Sequence, residues 1–218
     1  FEKRSKGIVC NLRKNDLHID VNKMEQGNYL MQNFAMFIDF RRYKNTYKTL
    51  LEMIECYDKE ISDNGDKIAK VLKYEDIVVN EANGKISSLV TLEEGGAIEG
   101  SLENLQHIYK RGIRMITLNW NYPNGIGYPN VKINVDKKGE IIGKPDFTKP
   151  DKNNGLTSWG FELLEAMEYL GIIPDVSHLS DAGFYDVLKH SKKPFVASHS
   201  NARSICNHVR NMDDEMIK

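Results

Sequence analysis

The sequence predicts an α/β protein built around a parallel β-sheet. Apolar stretches of strand length alternate with stretches whose apolar residues recur at helical spacing. Near the C-terminal end, the helix SWGFELLEAMEYL (158–170) leads into the strand IIPDVS (172–177), and the helix DAGFYDVLKH (181–190) leads into the strand PFVAS (194–198). Strands joined by single helices pair in parallel. Roughly five strands can be read from the pattern, so an open doubly wound sheet and an incomplete (β/α)8 barrel both fit.

The first elements follow the same alternation. The stretch LMQNFAMFIDF (30–40) has the composition of a buried strand. Apolar residues recur at helical spacing over 47–61, which predicts a long helix, and a second helical stretch is predicted over 68–72.

The middle of the chain adds a strand, a capped helix and another strand. The strand ISSLVTLEEGG (86–96) ends in a glycine pair, and Ser101 stands where it can cap the helix LENLQHIYKR (102–111). The strand IRMITL (113–118) follows. Beyond a polar loop, VKINVDKKGEIIG (131–143) is typical of a small surface hairpin.

Composition excludes two classes of partner. Lys and Arg number 30 against 31 Asp and Glu, and they are scattered, so the net charge of −1 does not favour binding to nucleic acid. No apolar run approaches the ~18 to 20 residues that cross a membrane. The three cysteines lack a C-x-x-C pairing, which favours free thiols in a reducing cytoplasm.

Three predicted strands end in side chains that can bind a metal. LVTLEE ends in Glu93 and Glu94, PDVSH in His178, and FVASH in His199. Carboxyl ends of parallel strands share one face, so these groups can meet despite their separation in sequence. Two neutral imidazoles and a carboxylate suit Zn²⁺ or a similar borderline metal. A histidine at a strand end is often structural instead, and the residues alone leave both interpretations open.

A second candidate pair is His18 and Asp20, since H-x-D at a strand end is a common metal pair. These residues lie in NLRKNDLHIDVNKMEQG, a polar segment with no buried strand before it. We therefore interpret them as a loop or edge pair.

Three stretches resemble the membrane (renal-type) dipeptidases, a metallopeptidase family. DVSHLSDAGFYDVLKHSKKPFVASHSNARSICNHVRN (175–211) is similar to the family's central segment, with D-[LV]-S-H, then S-H-S-x-A and a later R-N. EEGG with SLENLQHIYKRGIRMITL resembles its E-G-G segment, helix and strand, and EQGNYLMQNFAMFID resembles a third segment. The resemblance covers nearly the whole chain. It implies a (β/α)8 TIM-type barrel of the metal-dependent hydrolase kind, with two zinc ions, that cleaves dipeptides.

The resemblance also implies roles for individual residues. Glu94 would bridge the two metals, and His178 and His199 would ligate the second of them. A bridging hydroxide between the metals would attack the peptide bond. Arg210 matches the arginine that receives the free C-terminal carboxylate of the substrate, a pairing that suits a guanidinium fork. Asp175 would be a supporting group behind the ligands or a backbone brace.

The chain departs from the family pattern at both ends and at one internal position. The family's H-x-D pair for the first metal would precede Phe1, and its catalytic aspartate would follow Lys218. We therefore expect a single domain over 1–218 that lacks the first strand and the C-terminal strands of the barrel. Such a chain should bind the second metal weakly and be poorly active. Trp120 stands where some members have a histidine that contacts the substrate.

The primary hypothesis is a zinc metallodipeptidase, an exopeptidase hydrolase acting on dipeptides. Two alternatives stay open: a catalytically impaired remnant of the fold, or an amidohydrolase that acts on another amide or a lactam, as Trp120 suggests. The predicted partner is a dipeptide substrate. The resemblance implies a homodimer.

Overall fold

Five parallel strands and eight α-helices are found in residues 1–8, 10–131, 133 and 142–218, the part of the chain that this computed structural model describes. The strands are β1 (Met31–Phe37), β2 (Ile68–Lys70), β3 (Ile86–Glu93), β4 (Met115–Thr117) and β5 (Ile173–Asp175). The helices are α1 (Glu2–Ser5), α2 (Val21–Gln26), α3 (Thr46–Asp63), α4 (Tyr74–Ala82), α5 (Leu102–Lys110), α6 (Ser158–Leu170), α7 (Asp181–His190) and α8 (Asp214–Ile217). A 3₁₀ helix (Gly95–Ile98) follows β3.

The sheet runs in the order β1-β3-β4-β5, and every pairing is parallel. Strand β1 lies along one edge of β3, while β2 pairs with the first residues of its other edge and β4 with the last. The pairing aligns the ends of four strands in one row, Phe37, Glu93, Thr117 and Asp175. The predicted α/β class with a parallel sheet is confirmed, and this strand order is an arc of the kind that a (β/α)8 barrel contains.

The core lies between β3 and the helices beside it. All of β3 except its last residue is buried, as expected for a strand that has neighbours on both edges. Helix α3 buries one face at helical spacing, with Leu50, Ile54 and Ile61 inward. Side-chain oxygens of Ser101 and Ser180 cap the first turns of α5 and α7, and Gly171 ends α6 at φ 80°, so these helices lie where the sequence predicts them.

Two sequence predictions about the N-terminal half were wrong. The stretch 68–72 is not helical, because Ile68–Lys70 forms β2 and the next helix begins only at Tyr74. Strand β1 is only partly buried, since Met36 alone falls in the buried class. The reason is position, because β1 lies at the end of the sheet order and pairs only with β3 among the described residues.

The strand predicted over 194–198 is also wrong. Instead of a buried strand, these residues make a single parallel bridge between Val196 and Asp175, and they are half-buried or exposed. The backbone still follows β5, because Val196 N–H donates to Pro174 O and Val176 N–H donates to Val196 O. The hairpin predicted over 131–143 lies mostly outside the described residues.

Candidate metal centre

Two histidines and a glutamate meet beyond the carboxyl ends of β3 and β5. Glu93 Oε1 lies 3.6 Å from His178 Nε2 and 3.8 Å from His199 Nε2, and the two Nε2 atoms are 2.9 Å apart. His178 is buried, Glu93 is half-buried and His199 is exposed. These three residues are the one such group of ligand atoms among the described residues. We call Glu93, His178 and His199 the metal cluster, meaning a candidate metal site. It brings together the two histidines that the sequence singled out.

Local backbone geometry presents each ring to the centre. Glu93 is the last residue of β3, while His178 and His199 each stand three residues after a residue of the aligned bridge, Asp175 and Val196. His178 has a positive φ of 73°, a conformation that costs a residue other than glycine on the order of 1 kcal/mol or more. The surrounding contacts must hold it, and its carbonyl accepts a hydrogen bond from Asn130 N–H.

Hydrogen bonds fix the orientation of both rings through Nδ1. Asn121 Oδ1 lies 2.8 Å from His178 Nδ1, and an amide oxygen can only accept, so Nδ1 of His178 carries the proton. Ser198 Oγ donates to Asp175 Oδ2 at 2.6 Å and therefore accepts from His199 Nδ1 at 2.7 Å. Both Nε2 atoms then direct lone pairs into the centre. Metal-binding histidines are held in this way, with the outer nitrogen bonded to a supporting group.

The electrostatics favour a cation at this point. Two Nε2 lone pairs that face each other at 2.9 Å repel unless a proton or a cation lies between them. Burial lowers the pKa of His178 to about 2, and the charge of Arg210 adds to that effect. Burial, followed by Arg210, also lowers the pKa of His199. Both rings are therefore neutral near pH 7, which is the form that binds Zn²⁺.

Asp175 braces the centre from behind. Its buried carboxylate accepts hydrogen bonds from Thr117 Oγ1 at 2.7 Å, from the backbone N–H groups of Ser177 and Ser198 at 3.0 Å each, and from Ser198 Oγ at 2.6 Å. The sequence left open whether Asp175 supports a ligand or braces the backbone, and it does both. Through Ser198 it orients His199, and through the two N–H groups it ties together the segments that carry the histidines.

Glu94, the predicted bridging carboxylate, lies outside the cluster. It is fully buried, has a positive φ of 88°, and accepts hydrogen bonds from Gly96 N–H at 2.9 Å, Trp120 N–H at 3.0 Å and Asn124 Nδ2. Burial raises the pKa of Glu94 to about 7 against the lowering effect of these bonds. Strand β3 ends at Glu93, which faces the histidines, and the left-handed Glu94 caps the 3₁₀ helix, so its carboxylate turns to Gly96 N–H instead.

Arg210 reaches the centre from the loop after His199. Its guanidinium donates to the backbone carbonyl of His199 at 3.3 Å. Burial lowers the pKa of Arg210 to about 10, while the carboxylates of Asp175 and Glu93 partly offset that effect. The group is still charged near neutral pH and lies close enough to lower the pKa of both histidines. A cation held in this way can pair with an anionic group beside the metal cluster.

An aromatic wall stands beside the histidines. Trp120 packs edge to face against Phe37, with ring centroids 4.9 Å apart, and its ring centroid lies 6.0 Å from that of His178. The guanidinium of Arg41 lies 5.9 Å from the centre of the Trp120 ring and 5.4 Å from that of Tyr122. The residue that departs from the predicted family pattern therefore lies next to His178, a candidate metal ligand.

The other sequence candidates lie elsewhere, and some supporting residues were missed. Asp20 is the N-cap of α2, where it accepts from Lys23 N–H, and His18 is outside the metal cluster, as the loop interpretation expects. Sequence reasoning did not find Asn121 or Ser198. Their only signal is adjacency, because Asn121 follows Trp120 and Ser198 precedes His199.

Within the described part of the chain, no helix has the length and apolar character needed to cross a bilayer.

Comparison with known proteins gives a match along the chain. A family model described as "Membrane dipeptidase (Peptidase family M19)" matches residues 4–218. An uncharacterized dipeptidase of Schizosaccharomyces pombe is 29% identical over 212 residues, which cover 92% of this chain and 48% of that protein. An uncharacterized protein from the pqqA 5′ region of Klebsiella pneumoniae is 30% identical over 169 residues, which cover 78% of this chain and 58% of that protein.

A solved structure has a similar fold. A metallopeptidase from Rhodobacter sphaeroides, crystallised with a phosphinate mimic of the dipeptide L-Ala-D-Ala, superposes with a TM-score of 0.79 at 21% identity, covering 99% of this chain and 65% of that protein. The chain thus spans about half to three-fifths of the length of the curated relatives it matches.

Proposed function

Since the chain belongs to the membrane dipeptidase family, peptidase family M19, we propose that it is part of a zinc-dependent dipeptidase. The observation that carries the proposal is the convergence of Glu93, His178 and His199, with both Nε2 lone pairs directed inward and Arg210 beside them. Two imidazoles and one carboxylate match the donor set of catalytic zinc sites. A bound zinc ion supplies Lewis acidity and lowers the pKa of water.

The residues around the cluster have distinct tasks in this proposal. Arg210 binds the free C-terminal carboxylate of the dipeptide, which favours exopeptidase action because only a short substrate places its carboxylate there. Asn121 and Ser198 keep the two imidazoles in the orientation that binds metal. Trp120 forms one wall of the substrate pocket and limits the access of water.

A second zinc ion, a homodimer and a cytoplasmic location remain predictions. The described cluster accounts for the ligands of one ion. Glu94, which the resemblance implies as the bridge between two ions, is instead saturated with hydrogen bonds in this structure. The alternative function is that of an amidohydrolase acting on a different amide or a lactam. Trp120 favours it, because this residue stands beside the centre where some family members have a histidine.

Zinc titration and substrate hydrolysis test the proposal together. Calorimetry with the purified chain should show zinc binding that His199→Ala weakens and His190→Ala leaves unchanged, since His190 is an exposed residue at the end of α7. Hydrolysis of L-Ala-D-Ala, L-Ala-L-Ala and a lactam by the full protein then separates dipeptidase from amidohydrolase, because the chain over 1–218 is expected to be poorly active. Zinc binding that survives His199→Ala would favour a remnant that keeps only the fold.

A further inference from the structure

The backbone on both sides of Arg210 is held by side chains from elsewhere in the fold. Asn130 Nδ2 donates to the carbonyl of Val209 at 2.9 Å, and Arg203 Nε donates to the carbonyl of Asn211 at 2.9 Å. The carbonyls of the residues before and after Arg210 are therefore both bound by buried or nearly buried side chains.

Asn130 and Arg203 both donate hydrogen bonds to the carboxylate of Asp181. Arg203 pairs with it through two hydrogen bonds of 2.7 and 2.8 Å, and Asn130 Nδ2 donates to it at 2.8 Å. The side chains of Arg203 and Asp181 are 13% and 3% exposed, so this fork-to-carboxylate pair is nearly shielded from water. We call Asp181, Arg203 and Asn130 the junction.

The amide of Asn130 has no freedom to turn. Its Oδ1 accepts from the backbone N–H groups of Asp151 at 2.8 Å and Asp181 at 3.3 Å, while Nδ2 makes the two donations described above. Every polar atom of this side chain is thus used. A buried amide with all its hydrogen bonds made favours one arrangement, because any shift leaves a buried polar group unpaired.

The junction joins the segments that carry the functional groups. Asp181 begins α7 three residues after His178. Arg203 lies in the loop that starts at His199 and carries Arg210, and that loop closes on itself where Arg203 N–H donates to Met212 O at 2.7 Å. The hydrogen bonds of the junction therefore fix the distance between the histidines and Arg210.

We infer that Asp181, Arg203 and Asn130 position Arg210, and that this junction sets how far from the metal cluster a substrate carboxylate is held. The inference rests on the proposed dipeptidase function and deepens it. One further residue lengthens an extended peptide by roughly 3.3 to 3.6 Å. A rigid junction therefore selects dipeptides over longer peptides by geometry.

The test compares Arg203→Met and Arg203→Lys with a matched control, Arg111→Met. Arg111 also pairs with a carboxylate, that of Asp58 at 3.1 Å, and no contact joins it to the centre among the described residues. Three quantities are measured on the full protein: zinc affinity, the ratio of kcat/KM for L-Ala-D-Ala over its C-terminal amide, and hydrogen exchange of the peptide covering 205–213.

We expect Arg203→Met to raise KM for the free acid about tenfold or more with a small change in kcat, so that the acid-to-amide ratio falls towards one. Zinc affinity should stay within about twofold of the unchanged protein, and exchange over 205–213 should accelerate. Arg203→Lys should restore part of the ratio, because an ammonium keeps the charge but loses the fork. Arg111→Met should change none of the three.

Two results with an active protein would overturn the inference, and a third applies if the protein is inactive. An acid-to-amide ratio that survives Arg203→Met would show that Arg210 needs no such positioning, and a parallel loss of zinc affinity would show a general structural role. Failure of the proposed function looks different, because the unchanged protein would then cleave neither substrate. In that case hydrogen exchange still decides, and unaltered exchange over 205–213 in Arg203→Met would contradict the positioning role.

Discussion

Asn121 Oδ1 lies 2.8 Å from Nδ1 of His178, and this contact decides which nitrogen of the ring faces the metal cluster. Asn121→Ala should lower zinc affinity about 10- to 100-fold, because the ring loses the partner that fixes its tautomer and orientation. Asn121→Asp keeps an acceptor and should retain most of the affinity. Calorimetry at one pH compares the three proteins, and equal affinities would refute the role of Asn121.

Glu93 and Glu94 can be separated by matched amide substitutions. Glu93→Gln should weaken zinc binding, because a neutral amide replaces the carboxylate next to His178 and His199. Glu94→Gln should leave zinc affinity nearly unchanged and reduce the free energy of unfolding by about 1 to 3 kcal/mol, since its amide group would face hydrogen-bond donors. Loss of zinc binding in Glu94→Gln alone would instead support the bridging role implied by the family resemblance.

Asp175→Asn should lower the free energy of unfolding by more than the loss of a single hydrogen bond to Asp175 would. The buried carboxylate accepts from four donors, and an amide cannot accept from all of them. We expect a loss of about 2 to 4 kcal/mol in urea unfolding, together with weaker zinc binding. Thr117→Val removes a single donor and is the matched control, with an expected loss of about 1 kcal/mol. Equal losses in the two variants would contradict the bracing role.

Tyr57 should make the protein sensitive to alkali. Burial raises the pKa of Tyr57 from 10.0 to about 12, partly offset by the hydrogen bond with Ser88. The folded state holds the phenolic proton more tightly than the unfolded state, so this contribution is complete below pH 10 and is lost as the pH rises towards 12. The loss is roughly 2 kcal/mol.

Urea unfolding at about pH 9 and about pH 11.5 measures this effect. Tyr57→Phe should lose less stability between the two values than the unchanged protein. Tyr169→Phe, at a residue that is 89% exposed, should behave like the unchanged protein. A loss in Tyr57→Phe as large as in the unchanged protein would show that Tyr57 is not its source.

Local pattern predicted many of the elements and both histidines of the candidate centre, and it offered Glu93 only together with Glu94. The periodicity of α3, α5, α6 and α7, with Ser101 as the cap of α5, predicted those helices closely. His178 and His199 were found because each follows a strand-like segment, and in parallel folds such ends converge. Their role as ligands is still a prediction, although the structure brings the rings together.

The rest depends on contacts between distant segments. Residues 68–72 carry apolar side chains at a spacing that suits a helix, yet three of them pair with β3 as a short strand. Asp181 and Arg203 are 22 residues apart, and Asn130 is 79 residues from Val209. No periodicity links residues at such separations, so the junction could not be predicted from the sequence.

The alignment of Glu93 with Thr117 and Asp175 determines which of two neighbouring glutamates, Glu93 or Glu94, faces the histidines. A slip of β3 by one residue against β4 would bring Glu94 to the place of Glu93 and turn every apolar side chain of β3 to the opposite face. The register that the apolar residues of β3 set along the strand thus determines which glutamate faces the histidines at its end. A mutation that weakens the register of β3 should therefore lower zinc affinity without changing any of the candidate ligands.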